Sequence, residues 1–571
     1  MSSKQRGEVR RAQLITTYGV GAVVALRDES FMVAGTDRWD VQSPNLHEPL
    51  LERVLGLRGF VLPPASDDMD DIPVIRFPRY SSCPQCHRIA PHHQLSSNYR
   101  NSCNRCGVDL MPSRFVIACE KGHIDDFPYL RWAHRGAPRQ EGSHDLEIHS
   151  RGRSASLRDV EIRCSCGAWQ DMDGAFGKFA LRNITRCFGS RPWLTEPDAG
   201  CSETPRVLQR GASNGWFSLV RSAISIPPWS EGAFALLNQY WGMLRNIPRE
   251  ALKPTLAGMR LAEGTTFTID DLVEAVATRL GGEGEGGAFG HDDIRRQEHE
   301  ALLRGRPERS SAQEFVCVPA GEQTDRINAH FERVMVARRL REVRALIGFT
   351  RVRPAESNAE DRERIAPLST TDMDWLPAIE VRGEGVFLEL DKGRLQIWEN
   401  DPNVLARAAI IDSQYDSLAR RYGGEPDRRI TPRLLLVHTL AHIFIDQWAL
   451  DSGYPASSLR ERLYVDEDMA GLLIYTATSD AAGSLGGLTA QARPERLDES
   501  LFEAIARATW CSSDPLCIEA DATGVDALNL GACHSCCLLP EVSCEEMNLL
   551  LDRATVVGTP ENPSLGFFDG G

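Results

Sequence analysis

Sixteen cysteines stand in this chain, and all but Cys317 fall in two blocks at opposite ends of it. The first block opens with Cys83-Pro-Gln-Cys86 and continues, after sixteen intervening residues, with Cys103-Asn-Arg-Cys106. The last closes with Cys511, Cys517, Cys533, Cys536, Cys537 and Cys544. A CxxC turn places two thiolates on one tight bend, and two such turns make a tetrahedral S4 cage for zinc. Such a chain is stapled by metal as well as by apolar burial. Zinc is therefore the expected cofactor, at two to three ions per chain.

A length of 571 residues exceeds what one hydrophobic core usually serves and predicts three or four domains. Hydrophobic content of 42% and charged content of 25% are those of an ordinary globular protein. The polar, basic start has no apolar signal core, and no run of about 18 apolar residues occurs, so neither secretion nor a membrane span is expected. A cytoplasmic location keeps thiols reduced, which favours metal over disulfides. The net charge of −16 argues against a broad basic coat for nonspecific nucleic-acid binding. Arg6, Arg10 and Arg11, and the run Arg333, Arg338, Arg339, Arg341 and Arg344 on an expected helix, read as solvated surface.

The fold class expected is α+β multidomain: a zinc-ribbon-containing N-terminal half, a helical middle and an α/β C-terminal domain with a four-cysteine site. The boundaries drawn are 1–75, β-rich; 76–205, the Cys/His-rich zinc-ribbon region; 206–360, mainly helical, with a Gly-rich linker near 281–287; and 361–571, the C-terminal zinc-binding domain. Helical spacing marks 268–280, 291–305 and 325–346, and alternation over 378–398 suggests a β-hairpin. The turn Tyr18-Gly-Val-Gly-Ala22 lacks the Lys-Ser/Thr ending of a phosphate loop, and GxxxxGK[ST] occurs nowhere, so the chain is not expected to be a P-loop ATPase.

Cys83, Cys86, Cys103 and Cys106 are the first expected ligand set. Cys164, Cys166, Cys187 and Cys201 form a second by count, although Cys119 and His123 could replace two of them or build a third site with His134 and His144. His149 reads as an ordinary surface or core histidine. At the C-terminus the knuckle Cys533–Cys536 needs two further thiolates. Cys544 and either Cys517 or Cys511 would supply them, with Cys517 favoured because Asp514-Pro515 sets a turn before it. An iron–sulfur cluster uses the same thiolates. Cys317 reads as a small buried hydrophobe.

His438 and His442 share one helix face, with Asp446 one turn on. The HExxH pattern of zinc hydrolases needs Glu after the first His, and Thr439 stands there. A packed histidine pair is the favoured reading, and a metal-dependent nuclease or hydrolase the alternative. Ser484-Leu-Gly-Gly-Leu488 reads as a tight turn, and Glu380 with Glu384 as a solvated or ion-paired strand edge.

Several of these segments together resemble the DrmB family of bacterial DISARM anti-phage systems, over nearly the whole chain. They are Arg11-Ala-Gln-Leu-Ile-Thr-Thr-Tyr-Gly-Val-Gly-Ala22, Gln209-Arg-Gly-Ala-Ser-Asn214, Leu340-Arg-Glu-Val343, Gly348-Phe-Thr-Arg351, His438-Thr-Leu-Ala-His442, Ser484-Leu-Gly-Gly-Leu488 and the last cysteine block. That block resembles the zinc-binding domain at the C-terminus of MrfA-type helicases. The chain departs from the family pattern at Cys537 and at His144. The resemblance implies a subunit without its own motor, beside a DrmA-like helicase ATPase, engaging DNA mainly within the complex. A protein-only zinc-ribbon adaptor is the further alternative.

Overall fold

A computed structural model describes residues 7–568 apart from 27–28, 42, 65–70, 98–100, 139–141, 153–155, 196–199, 231, 266, 284–289, 310–312, 355–362, 422–424 and 477–485. The fold is mixed α/β with several sheets, helices in the middle and C-terminal regions, and a four-cysteine cluster near residues 511–536. The chain forms two compact units, each assembled from separated segments. Unit one comprises 1–44, 60–221 and 345–379; unit two comprises 45–59, 222–344 and 380–571. Among the described residues no helix is long and apolar enough to cross a membrane.

Unit one is built mostly of short strands. A six-stranded sheet runs in the order Trp169–Asp171, Val160–Cys164, Leu146–Ser150, Arg88–Pro91, Tyr80–Ser82, Met111–Pro112. Phe115, Phe127, Tyr129, Trp132, Ile162 and Met172 fill its core. Strands this short bury little apolar surface each, and the turns joining them carry most of the cysteines.

The glycine turn at 18–22 is structural. Gly21 has φ +76°, and a Cβ there would come within 2.4 Å of the Phe349 ring, so only glycine fits this turn. Gly21 O accepts a hydrogen bond from Arg351 Nη2 at 2.7 Å. Arg351 is fully buried, and its guanidinium also donates to Gly122 O and Gly215 O, at 3.0 and 2.5 Å. It lies against the rings of Phe349 and Trp193.

In unit two the helix Pro432–Ser452 is capped by Thr431, whose hydroxyl accepts from Leu434 N, and ends at Gly453 with φ +74°. Its residues are apolar on every side, which marks a helix enclosed by protein. Leu436, Val437, Leu440, Ala441, Phe444 and Trp448 pack with Val386, Leu388, Leu472 and Ile474 of the sheet. Leu459–Val465 and Ala470–Thr476 form an antiparallel hairpin in the register Leu459↔Thr476 to Val465↔Ala470. The second of these strands pairs onward with Gly385–Glu389.

The segment expected to be helical over 325–346 is helical only at Asp325–Asn328; Phe331–Thr350 is one long strand. Both strand faces are buried over most of its length, which removes the alternation that would have announced it. Arg341 and Arg344 are correspondingly buried, not solvated. Arg341 binds Glu48 and Glu380 at 3.2 and 2.6 Å, and Arg344 binds Glu342 at 2.6 Å. Within the region 206–360 expected to be mainly helical, Arg206–Gln209 and Phe217–Ile224 are strands.

The hairpin expected over 378–398 is instead a single strand, Trp375–Leu390, followed by the helix Lys392–Glu399. Gly383 and Gly385 resemble turn residues, but they admit the neighbouring strand. A Cβ would meet Thr476 O at 2.2 Å from Gly383 and Ile474 O at 2.8 Å from Gly385. Glu380 is ion-paired as expected, whereas Glu384 is buried and accepts from Leu488 N at 2.9 Å.

The helices expected at 268–280 and 291–305 are Ile269–Glu283 and His291–Arg304. Of the Gly-rich stretch, 281–283 continues the first helix and 284–287 lies outside the described residues, as do Arg6, Ser484 and Leu485. Cys317 is buried, and burial pushes its thiol up to about 12, consistent with an inert apolar role.

Candidate metal centres

Among the described residues, five groups of four donors each converge within 4.8 Å. The first is Cys83, Cys86, Cys103 and Cys106. Its two knuckles repeat one local geometry. His87 N donates to Cys83 O at 2.9 Å and Gly107 N to Cys103 O at 2.8 Å, and both residues take positive φ, +60° and +72°. The first knuckle is the turn between Tyr80–Ser82 and Arg88–Pro91, and Ser102 bridges Asp109 around the second. Cys86 and Cys103 sulfurs lie 3.9 Å apart. A tetrahedron with Zn–S near 2.3 Å has edges of about 3.8 Å, so the donors fit zinc.

Burial pushes the Cys103 thiol up, but the N–H groups of Arg105 and Cys106 and the neighbouring thiols outweigh it and bring it down to about 7. Donors that favour the thiolate also favour the metal-bound form.

The four cysteines read from sequence as one second site are divided between two. Cys187 and Cys201 meet Cys119 and His123, while Cys164 and Cys166 meet His134 and His144. Cys119 follows the strand Phe115–Ala118, and Gly122, with φ +76°, turns the chain so that His123 faces back. Cys119 Sγ lies 3.3 Å from His123 Nδ1 and 3.6 Å from Cys187 Sγ. The hydrogen bond from Cys187, opposed by burial and aided by His123, holds the Cys119 thiol down to about 4.

Cys164 closes the strand Val160–Cys164, and Gly167 N returns to Cys164 O at 2.9 Å, which turns Cys166 toward the same point. His144 Nδ1 stands 3.2 Å from Cys164 Sγ, and His134 Nε2 3.6 Å from Cys166 Sγ. The departure at His144 is thus a donor exchange within a four-donor group. His149 lies elsewhere and binds Glu147 at 2.9 Å.

The C-terminal sulfur group is Cys511, Cys517, Cys533 and Cys536. Sulfur separations are 3.4 Å for Cys511–Cys533, 3.7 Å for Cys517–Cys536 and 3.8 Å for Cys533–Cys536, again the edges of a zinc–thiolate tetrahedron. Both Cys511 and Cys517 are therefore present, and Cys544 is not. The loop is positioned by Arg553, which is fully buried, donates to Ala508 O at 2.8 Å and holds Asp514 at 2.7 Å. Asp514 in turn accepts from Cys511 N at 2.8 Å. Burial raises the Cys533 thiol, while Ser535 N–H and the other three thiols bring it down to about 7.

Cys544 sits instead with His438, His442 and Glu461. Asp446, the third member of the hydrolase reading, points away and pairs with Arg507 at 2.7 Å. Glu461 carried no sequence signal: it lies between Arg460 and Arg462 on the strand Leu459–Val465 and is fully buried. Four protein donors close each of the five groups, and closed sites of this kind brace structure.

Compared with known proteins, the chain is 30% identical to the DISARM protein DrmB of Bacillus paralicheniformis over 519 residues, which cover 88% of this chain and 91% of that relative. This chain belongs to the DrmB family. Within this DrmB-family sequence, residues 10–217 match a domain of unknown function (DUF8724), and residues 440–537 match the MrfA Zn-binding domain. The first match spans the three N-terminal donor groups. The second spans Cys511, Cys517, Cys533 and Cys536 but neither His438 nor Cys544.

Proposed function

We propose that this chain is a non-catalytic, zinc-braced subunit of a bacterial DISARM anti-phage defence complex. It docks a DrmA-like helicase ATPase, which supplies the motor, and helps hold DNA. One observation carries this reading above all. A chain of the DrmB family, with no GxxxxGK[ST] run in its sequence, spends its densest chemistry on four-donor groups that leave no coordination position open. Zinc is the metal proposed for the thiolate groups; two to three ions were expected from the sequence, and four such groups converge among the described residues.

A net charge of −16 requires the DNA contacts to be local. Trp169 and Phe179 of unit one are 52% and 57% exposed, with Arg151 over the first ring and Arg182 over the second, at 5.5 and 4.8 Å. Phe188, also exposed, carries Arg186 at 5.6 Å. Exposed rings beside cations are a surface on which unpaired bases stack. In unit two, Trp510 and Leu516, 69% and 83% exposed, flank the Cys511–Cys517 loop and suit an apolar partner surface.

Co-expression with the helicase-like ATPase tests docking. Co-elution on a sizing column, lost in the Trp510→Ala/Leu516→Ala variant, is expected; separate elution of the wild-type proteins would remove the docking claim. For DNA, the Trp169→Ala/Phe179→Ala complex should bind single strands at least tenfold more weakly. Cleavage of DNA by the purified chain with Mg2+, Mn2+ or Zn2+, abolished by His438→Ala, would replace this reading with the hydrolase.

A further inference from the structure

We propose that unit two holds a second, fully enclosed divalent metal ion of the zinc class, ligated by His438, His442, Glu461 and Cys544. None of the four side chains of this group touches solvent appreciably; the two histidines and Glu461 are 0% exposed. The ligands come from three separate segments: the helix Pro432–Ser452, the strand Leu459–Val465, and the loop at 544.

The hydrogen bonding around the group turns both imidazole rings toward one centre. His442 Nδ1 lies 2.7 Å from Cys537 O, and His438 Nδ1 lies 3.2 Å from Leu550 O. A carbonyl only accepts, so both Nδ1 atoms carry hydrogen and both Nε2 atoms are turned toward the centre of the group. Both Nε2 atoms face a carboxylate. His438 Nε2 is 3.2 Å from Glu461 Oε1, and His442 Nε2 is 3.5 Å from Glu461 Oε2. Cys544 Sγ is 3.2 Å from His438 Nε2. His442 Nε2 and Glu461 Oε2 are buried without a hydrogen-bond partner. Such orphaned atoms are costly in a protein interior unless something satisfies them.

A cation at the centre satisfies all four at once. Tetrahedral zinc with bonds near 2.0–2.3 Å puts nitrogen and oxygen about 3.3 Å apart and nitrogen and sulfur about 3.6 Å apart; the nitrogen–oxygen pairs at 3.2 and 3.5 Å bracket the first value, and the nitrogen–sulfur pair at 3.2 Å is shorter than the second. The charge also closes: a divalent ion, one carboxylate and one thiolate sum to zero, whereas a lone buried carboxylate does not. Binding takes the Cys544 thiol to thiolate, and the proton leaves to solvent. Two backbone donors already face that sulfur, Glu546 N at 3.3 Å and Asn548 N at 3.2 Å. The Nδ1–carbonyl bonds orient the rings as ligating histidines are commonly oriented. With no path for substrate, the ion ties helix, strand and loop together.

The inference stands on unit two alone and does not depend on the partner or DNA role. Its test is an anomalous difference map at the zinc absorption edge, collected on the full wild-type chain. A peak is expected between His438 Nε2 and Cys544 Sγ, besides the one among Cys511, Cys517, Cys533 and Cys536. A map with the sulfur-cluster peak and none at the histidines overturns the proposal. Native mass spectrometry supplies the second measurement: Glu461→Gln and Cys544→Ala should each lose one metal atom per chain. A folded variant that keeps the wild-type count overturns it equally, and if neither variant folds the map decides.

Discussion

Cys544 Sγ lies 3.2 Å from His438 Nε2, in a different group from Cys533. Two residues 106 positions apart thereby share a buried centre, while the cysteine eleven positions away belongs to another. The same regrouping occurs in unit one, where Cys164 and Cys187 separate. Counting metal in variants measures these groupings directly.

Cys164→Ser and Cys187→Ser should each remove one metal atom per chain, and the double variant two. Were the four cysteines from Cys164 to Cys201 a single centre, the double variant would lose only one. Native mass spectrometry or elemental analysis of the purified chains distinguishes the outcomes.

Cys103→Ser and Cys533→Ser should each destabilise the unit that contains them, because ligand binding energy at a structural zinc, on the order of 10 kcal/mol, is also folding energy. Calorimetry should show a lowered or lost transition in each variant, and chelation should reproduce it. Melting unchanged from wild type in either variant would contradict a structural metal there.

Arg351→Met should cost about 3–5 kcal/mol, since the carbonyls of Gly21, Gly122 and Gly215 lose their donor in a buried site. The denaturant midpoint should fall with the slope unchanged. A change within about 0.5 kcal/mol would mean that water replaces the guanidinium without penalty.

Burial pushes the Glu48 carboxyl from 4.5 up to about 7, against the attraction of Arg341 and the Ser225 hydroxyl. The folded chain therefore holds a proton between those pH values that the unfolded chain has released. The stability this group contributes is full below about 4.5 and is lost as pH rises through about 7. At about 1.4 kcal/mol per pH unit, Glu48→Gln should gain on wild type by something on the order of 3 kcal/mol between pH 5 and pH 8. Parallel pH–stability curves for the two proteins would show that Glu48 does not titrate in this window.

Local chemistry was the legible part of this protein. Cys83-x-x-Cys86, Cys103-x-x-Cys106 and Cys533-x-x-Cys536 each fix two sulfurs on one turn by backbone geometry that needs no other segment. The helix after Thr268 was visible in the same way, as period and capping. The long strand Phe331–Thr350 was not, because burial of both its faces erased the alternation, and its Arg341 meets carboxylates that are remote in sequence.

The sequence by itself determined that this chain would gather thiolates on tight turns, and which family it resembles; it also contains no GxxxxGK[ST] run. Only the tertiary structure decided which half-sites close on one another. A single Cys or His fixes a donor but not a direction, and a fourth ligand such as Glu461 is chosen by the strand that brings it there. Spacing governs what one turn can hold; the packing of separate segments governs what those turns meet.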